Sequence, residues 1–466
     1  MSTPGARPPV TTAAELTSGT PAGIGGKPGR PGLFIALRFP IVVLAASVVA
    51  ATLPGNRWVD LSGVNLVLLV ALAIDIVLAP RPGALQATRE VPEVISLDRP
   101  ATGSLRLHNP SRRRLRAGVD EFALPSLGVS PRRQWAVLGA GEWTTVEELI
   151  APSRRGKATI GPLTVRTTGP LGLGGRQRSL PLVDRIRCYP ALPGRRQVAL
   201  RLDRARMLQS GERSSVLRGG NGEFDALREY HPDDEFRRIN WRATARSVKP
   251  ISNTYREEHN QQVLLALDAS RMMAGTVAGV PRFEHTLDAG IAVAELAGRV
   301  GDHVGMAAFS GDVLTFVAPR AGRAQARRIL DQLFDVQPSL DAADYRRAFA
   351  VILSRYRRRA LLVLLTELTD SAAMEGLFQA LPMLESRHLV VIGSVADPAV
   401  ADEAQLVPAS SEDAFRKAAA AGALAARAAT AARLSAMGVT VVDRPPADLA
   451  GALADQYLTI KARGKL

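Results

Sequence analysis

Two apolar runs near the start constrain this chain more than any other feature. Residues 33–53, LFIALRFPIVVLAASVVAATL, are interrupted only by Arg38 and Pro40, and residues 61–79, LSGVNLVLLVALAIDIVLA, form a second run of 19. Each is about the length a helix needs to cross a hydrocarbon core about 30 Å thick. Together they predict a transmembrane helical hairpin over residues 33–80. A cleaved signal peptide is a competing reading, but the long tail before the first run and the second run close behind it argue against cleavage. Buried helices of a soluble protein are another, and Arg38, Asn65 and Asp75 speak for it. Arg38 lies near one end and can snorkel, whereas Asp75 has to face a partner helix or sit near the headgroups. Arg7, Lys27, Arg30 and Arg38 flank the first run, Arg81 and Arg89 follow the second, and the short loop PGNRWVDL carries one Arg and one Asp. The positive-inside rule then places both termini in the cytoplasm and the chain in the inner (plasma) membrane, with membrane lipids as one partner.

The rest has to fold mainly outside the bilayer. A chain of 466 residues is too long for one core and implies roughly two to four domains. Hydrophobic residues make up 46% and charged residues 22%, which excludes an intrinsically disordered protein. The net charge of +15 is nearly all arginine, since there are only six lysines. Such an excess favours anionic surfaces without choosing among them. A basic nucleic-acid-binding membrane protein is therefore the alternative reading. The arginines are dispersed, however, aromatics are only 5% of residues, and no recognised motif appears, so no nucleic-acid partner is expected. The single cysteine, Cys188, excludes an internal disulfide framework, and within IRCYP it reads as a small buried side chain.

Along the chain, residues 1–32 read as a disordered tail rich in Pro, Gly, Thr and Ala. Residues 81–195 alternate short apolar segments with Pro, Gly and Asn, which predicts antiparallel strands in a β-sandwich-like domain. The runs SRRR and PSRRG fall at its turns and read as solvated charge. Residues 196–260 form an arginine-rich signature segment. From 261 to 466, fully apolar strands such as VLLALD, LLVLL and LVVIGSV alternate with amphipathic helices, which describes an α/β doubly wound domain with a largely parallel sheet. The fold class expected is multidomain.

Within the signature segment, YHPDDEFRRINWRATAR packs three acids, four arginines and a tryptophan into residues 230–246. If residues 233–246 are helical, Asp234, Arg238, Arg242 and Arg246 share one face at steps of four, and Trp241 lies off that stripe as an apolar anchor. Arginines so spaced repel one another and need anionic company. Either the segment is an internal clamp between the sandwich and the α/β domain, or it is a docking face for an acidic partner.

Catalytic motifs are missing: there is no G-x-S-x-G, H-E-x-x-H, C-x-x-C or phosphate loop, and no catalytic residue is assigned, so the chain is not expected to be an enzyme. The first α/β strand ends in Asp268 and Ser270, and a later one in Thr366 and Glu367. Hard oxygens at strand ends suit Mg²⁺.

The hairpin, the sandwich, the stretch GEFDALREYHPDDEFRRINWRATAR and the strand with LDASRMM together resemble the bacterial family catalogued as domain of unknown function fifty-eight. Its last domain resembles the von Willebrand factor type A fold. The resemblance covers nearly the whole chain beyond the tail. It implies a membrane protein associated with a MoxR-type AAA+ ATPase, the family's molecular function being poorly defined. Joined to the hairpin, sandwich and α/β domain read above, this gives the expectation of a membrane-anchored cytoplasmic adaptor, acting with that ATPase in assembly or maturation of other proteins. Metal-binding type A domains use Asp-x-Ser-x-Ser, a distant Thr and a later Asp. Here Asp268 and Ser270 match, Met272 replaces the second Ser, and Glu367 stands where an Asp is usual. The segment QPSLDAADY offers Ser339 but no Thr. The cup for Mg²⁺ is thus incomplete, a thioether being a poor ligand for that ion. The family's sandwich commonly ends in Asp-Pro-Phe-Gly-Leu, whereas this chain has Gly169, Pro170, Leu171, Gly172 and Leu173. The glycine removes a turn-stabilising carboxylate, and the segment reads as structural.

Overall fold

The computed structural model describes residues 32–52, 57–200, 223–231, 236, 239–247, 249–256, 261–368 and 372–463. Nearly all of the expected tail therefore lies outside the described residues. The chain divides into two compact units, Met1–Tyr189 and Pro190–Leu466.

The first unit opens with β1 (Gly32–Ile35), α1 (Arg38–Thr52) and α2 (Arg57–Leu78). Pro40 stands in the first turn of α1, where its missing N–H leaves no helical bond unmade. Along α2, Leu66, Val67, Leu69, Val70, Ile74 and Val77 are 51–68% exposed. An apolar surface so continuous is at home in hydrocarbon rather than water. α2, the main part of the apolar stretch Trp58–Ala84, is the one helix among the described residues long and apolar enough to cross a membrane, and α1 is shorter. The first apolar run does not form the single long helix expected of it. Its first residues pair instead with a sheet strand, Phe34 opposite Gly175, and the ladder claims backbone groups that a longer helix would have used.

The strands that follow are β2 (Gln86–Glu90), β3 (Val94–Ser96), β4 (Ala101–His108), β5 (Leu115–Ala123), β6 (Val129–Ser130), β7 (Arg133–Leu138), β8 (Trp143–Ile150), β9 (Gly156–Thr168), β10 (Gly174–Leu180) and β11 (Asp184–Tyr189). They make a seven-stranded sheet with the path β1-β10-β9-β11-β3, joined by β5 and β7, and a four-stranded sheet β2-β4-β8-β6. Leu105 and Leu107 of β4 and Val146 of β8 share one buried cluster with Leu115, Ala117 and Val119 of β5 and Leu163 and Val165 of β9. Alternation at period two puts these residues inward and their neighbours outward. Cys188 is buried as the sequence suggests, and burial pushes its thiol up to about 11. The three arginines of SRRR are exposed, whereas Arg155 of PSRRG is buried.

Arg89 does not serve as a charge flanking the membrane. Its side chain is buried, with Nη2 2.7 Å from Glu121 Oε1 and Nη1 2.7 Å from Asp184 Oδ2. Glu148 of β8 lies against Glu121, and burial together with the Glu121 charge pushes its carboxyl up to about 8.

Asp75 meets backbone amides of the first unit's own turn rather than a partner helix. It is fully buried at the end of α2, where Oδ1 accepts from Leu171 N (2.7 Å) and Oδ2 from Leu173 N (2.8 Å) and Gly174 N (3.0 Å). The turn that lacks its own carboxylate thus borrows one from the helix. Gly169 permits this, because a Cβ there would collide with the carbonyl and carboxylate oxygens of Asp75. Arg176 then caps the helix, Nε donating to Ile76 O (3.1 Å) and Nη2 to Val77 O (3.2 Å).

The second unit contains a hairpin of β12 (Glu223–Glu229) and β13 (Ile251–Arg256), with the short helix α3 (Trp241–Thr244) between them. Its main sheet starts with β14 (Gln262–Asp268); β15 (Thr276–Val277) and β16 (Val280–Pro281) form a small separate hairpin. The main sheet continues with β17 (His303–Phe309), β18 (Val313–Arg320), β19 (Leu361–Leu365), β20 (Leu389–Val395) and β21 (Thr440–Arg444), in the order β18-β17-β14-β19-β20-β21. Every pairing is parallel except the edge pair β17–β18. The helices are α4 (Arg282–Val300), α5 (Ala324–Leu333), α6 (Tyr345–Arg355), α7 (Ala372–Glu385), α8 (Pro398–Gln405), α9 (Ser411–Ala436) and α10 (Pro446–Ala462).

Both faces of the sheet are covered. Val263, Leu265 and Leu267 of β14 pack with α4, α5 and α10, while Leu264 and Ala266 face α6 and α7. This is the largely parallel, doubly wound arrangement that the apolar strands predict. Helices α8 and α10 were not anticipated.

Candidate functional site

Strand order reverses at β14, since β17 lies on one side of it and β19 on the other. A crevice for ligands in such sheets opens at the carboxyl end of that strand. Here the strand ends in Asp268. Its Oδ1 accepts from Ser270 N at 2.8 Å, which turns the chain sharply out of the sheet. Its Oδ2 accepts from Thr366 Oγ1 at 2.6 Å and from Tyr345 OH at 3.1 Å, and these two hydroxyls lie 2.9 Å apart. Asp268 is fully buried. Burial pushes its carboxyl up, against the pull of the hydrogen bonds from Thr366, Ser270 and Tyr345. The Tyr345 hydroxyl is pushed up in turn by burial and by the Asp268 charge. The Ser270 side chain is buried and also favours the ionised Asp268. Ser339 also reaches this corner, its N–H donating to Ala269 O at 2.8 Å.

Glu367 belongs to a second network. One oxygen meets Arg427 Nη1, and Oε2 lies 3.0 Å from Arg282 Nε. Burial raises this carboxyl, opposed by the charges of Arg427 and Arg282. Arg427 comes from the alanine-rich helix α9, and its guanidinium spans three successive strand ends. Beyond β19, Nη1 donates to Leu368 O (3.2 Å); at β20, Nη2 donates to Ser394 Oγ (2.7 Å) and Val395 O (2.9 Å). At β21 it forks onto Asp443, through Nε to Oδ2 (2.6 Å) and Nη2 to Oδ1 (2.7 Å). The sequence-named donors are therefore divided: Asp268 and Ser270 share one network with Thr366, and Glu367 sits in the other. Tyr345, Arg282, Arg427 and Asp443 were not singled out from sequence. Arg427 is 60 residues from Glu367 along the chain, and its only sequence signal is an isolated cation among small residues, AARAAT.

The arginine-rich segment departs from its expected form. Residues 233–246 are not one helix: among the described residues only Trp241–Thr244 is α-helical, preceded by a bridge from Ile239 to Ser252. Asn240 is extended (φ −84°, ψ 90°), and its side chain caps the helix by accepting from Ala243 N. Asn240 N also donates to Ile251 O at 2.8 Å, so the β-hairpin takes backbone groups that a longer helix would need. Arg242 and Arg246 are exposed, and Arg246 lies past the helix end. Asp234 and Arg238 lie outside the described residues. Trp241 is 61% exposed and packs edge-to-face on Phe236 (5.6 Å between ring centroids), itself 69% exposed. The expected anchor is thus at the surface.

The family model described as "Protein of unknown function DUF58" matches residues 226–418. The match includes the hairpin from residue 226 onward and the ends of β14, β19 and β20; Arg427 lies beyond it. An uncharacterized protein of Mycobacterium tuberculosis is 24% identical over 190 residues, which are 40% of this chain and 59% of that protein. One from Mycobacterium bovis matches to the same extent. The chain spans about 59% of the length of these curated relatives. Among solved structures, an aerotolerance-related membrane protein from Bacteroides fragilis has a TM-score of 0.23 at 21% identity, over 28% of this chain and 66% of that one. The conserved hypothetical protein BatB from Bacteroides thetaiotaomicron has a TM-score of 0.26 at 15% identity, over 43% of this chain and 98% of that one.

Proposed function

For a chain whose residues 226–418 carry the signature of the DUF58 family, we propose a membrane-anchored adaptor that captures an acidic protein partner. In this reading the apolar hairpin fixes the chain in the plasma membrane with both ends cytoplasmic. The paired sheets of the first unit form a sandwich-like spacer, and the second unit is a type A-like recognition domain. The partner is a MoxR-type AAA+ ATPase, which supplies the ATP hydrolysis that this chain has no phosphate loop to perform.

The observation that carries the reading is the exposed Trp241–Phe236 pair with Arg242 and Arg246 beside it. Tryptophan and arginine dominate binding energy when a partner desolvates them, and left in water such an aromatic pair contributes little to folding. Arginine adds complementarity to carboxylates and speeds encounter.

The test uses full-length protein in lipid nanodiscs and a purified MoxR-type ATPase. Trp241→Ala and Arg242→Glu are each expected to weaken capture about tenfold or more while the thermal midpoint stays in place. A fall in the midpoint with capture intact would instead assign the segment to an internal clamp.

A further inference from the structure

The strand-end cluster supports a conclusion that does not depend on the adaptor reading. We propose that the guanidinium of Arg427, and not a divalent metal, is the cation of this site. The residues present do not fit a metal ion. A hard cation such as Mg²⁺ takes six oxygens and needs carboxylates whose charge is not already answered. Glu367 has one oxygen on Arg427 and the other beside Arg282. Asp443 has both oxygens on Arg427. Asp268 holds Ser270 N, Thr366 and Tyr345 with its two oxygens. Of the donors named from sequence, Glu367 Oε2 is answered only by the Arg282 charge and the Ser270 hydroxyl only by Asp268, and Met272 adds a thioether.

Arg427 meanwhile does what a bound ion would do. Each of its three guanidinium nitrogens donates at least one hydrogen bond, and the acceptors come from the ends of β19, β20 and β21. Its side chain is 13% exposed and that of Glu367 5%, so the charge is held near the surface but out of bulk water. A planar fork satisfies several carboxylate and carbonyl oxygens at fixed angles, which a lysine ammonium cannot reproduce. The small side chains around Arg427 on α9 let the helix lie close enough for this reach. A metal entering here would have to displace one guanidinium from Glu367 and work against the other.

The test is calorimetric titration of the purified full-length protein in detergent with MgCl₂ and with MnCl₂, together with thermal midpoints in metal and in excess chelator. The expected result is no binding heat and an unchanged midpoint. Arg427→Met leaves Glu367 and Asp443 facing each other with less positive charge. Its midpoint should fall, and Mg²⁺ or Mn²⁺ should recover part of the loss. Saturable metal binding by the unaltered protein that Asp268→Asn abolishes would overturn the proposal, as would an Arg427→Met variant with an unchanged midpoint. If Arg427→Met does not fold, Arg427→Lys decides: a lowered midpoint supports the fork, and an unchanged one overturns it.

Discussion

Glu148 and Glu121 share one arginine, Arg89, at a buried position. Two carboxylates so close cannot both ionise cheaply, and burial adds to the cost. Glu148 therefore keeps its proton up to about pH 8 in the fold, whereas the ordinary value is 4.5. A raised folded value means that its contribution to stability is complete below pH 4.5 and is lost as pH climbs towards 8. Glu148→Gln should flatten the fall in thermal midpoint over the same range, and a variant that still tracks the unaltered protein would rule this out. The sequence carried the signal. In WTTVEELI the alternation places Glu148 on the inward face with Val146 and Ile150, and Glu147 outward. A carboxylate on an inward step needs a buried partner. The partner was illegible, because Arg89 lies on another strand and looks in sequence like one more charge beside the membrane.

At the level of elements, the long apolar strands were legible because a strand buried on both faces has nothing polar to break its run. The segment 233–246 misled because its charge spacing suits a helix, while Asn240 and Ile239 are claimed by long-range pairing with residues 251 and 252. Local propensity yields to a ladder whose partner is not adjacent. The 169–174 turn shows the opposite failure. Its glycine reads as a loss, yet it makes room for Asp75. Gly169→Ala should therefore destabilise the chain by about 3 kcal/mol or more, since the clash breaks three amide bonds to one buried carboxylate. The midpoint of the detergent-solubilised protein measures this, and a shift of less than about 1 kcal/mol would mean that the turn repacks freely.

The whole molecule has separate hydrophobic cores in its two units. Leu163 is fully buried in the first unit and Leu365 in the second. Replacing either with alanine should cost about 2–5 kcal/mol in its own unit. Calorimetry of the full chain is expected to show two transitions, Leu163→Ala lowering one and Leu365→Ala the other. A single transition moved by both would show that the units unfold together. The doubly wound unit was legible from its periodicity. The boundary at Tyr189 was not, because the strand IRCYP runs straight into it.

Asp75 and Arg176 fasten the end of α2 to the first unit's seven-stranded sheet with side-chain bonds to main-chain groups on both sides of the joint. A helix mounted this way is a rigid spar rather than a leash. Bonds running in both directions across the joint resist any change in the angle between the helix and the strands it meets.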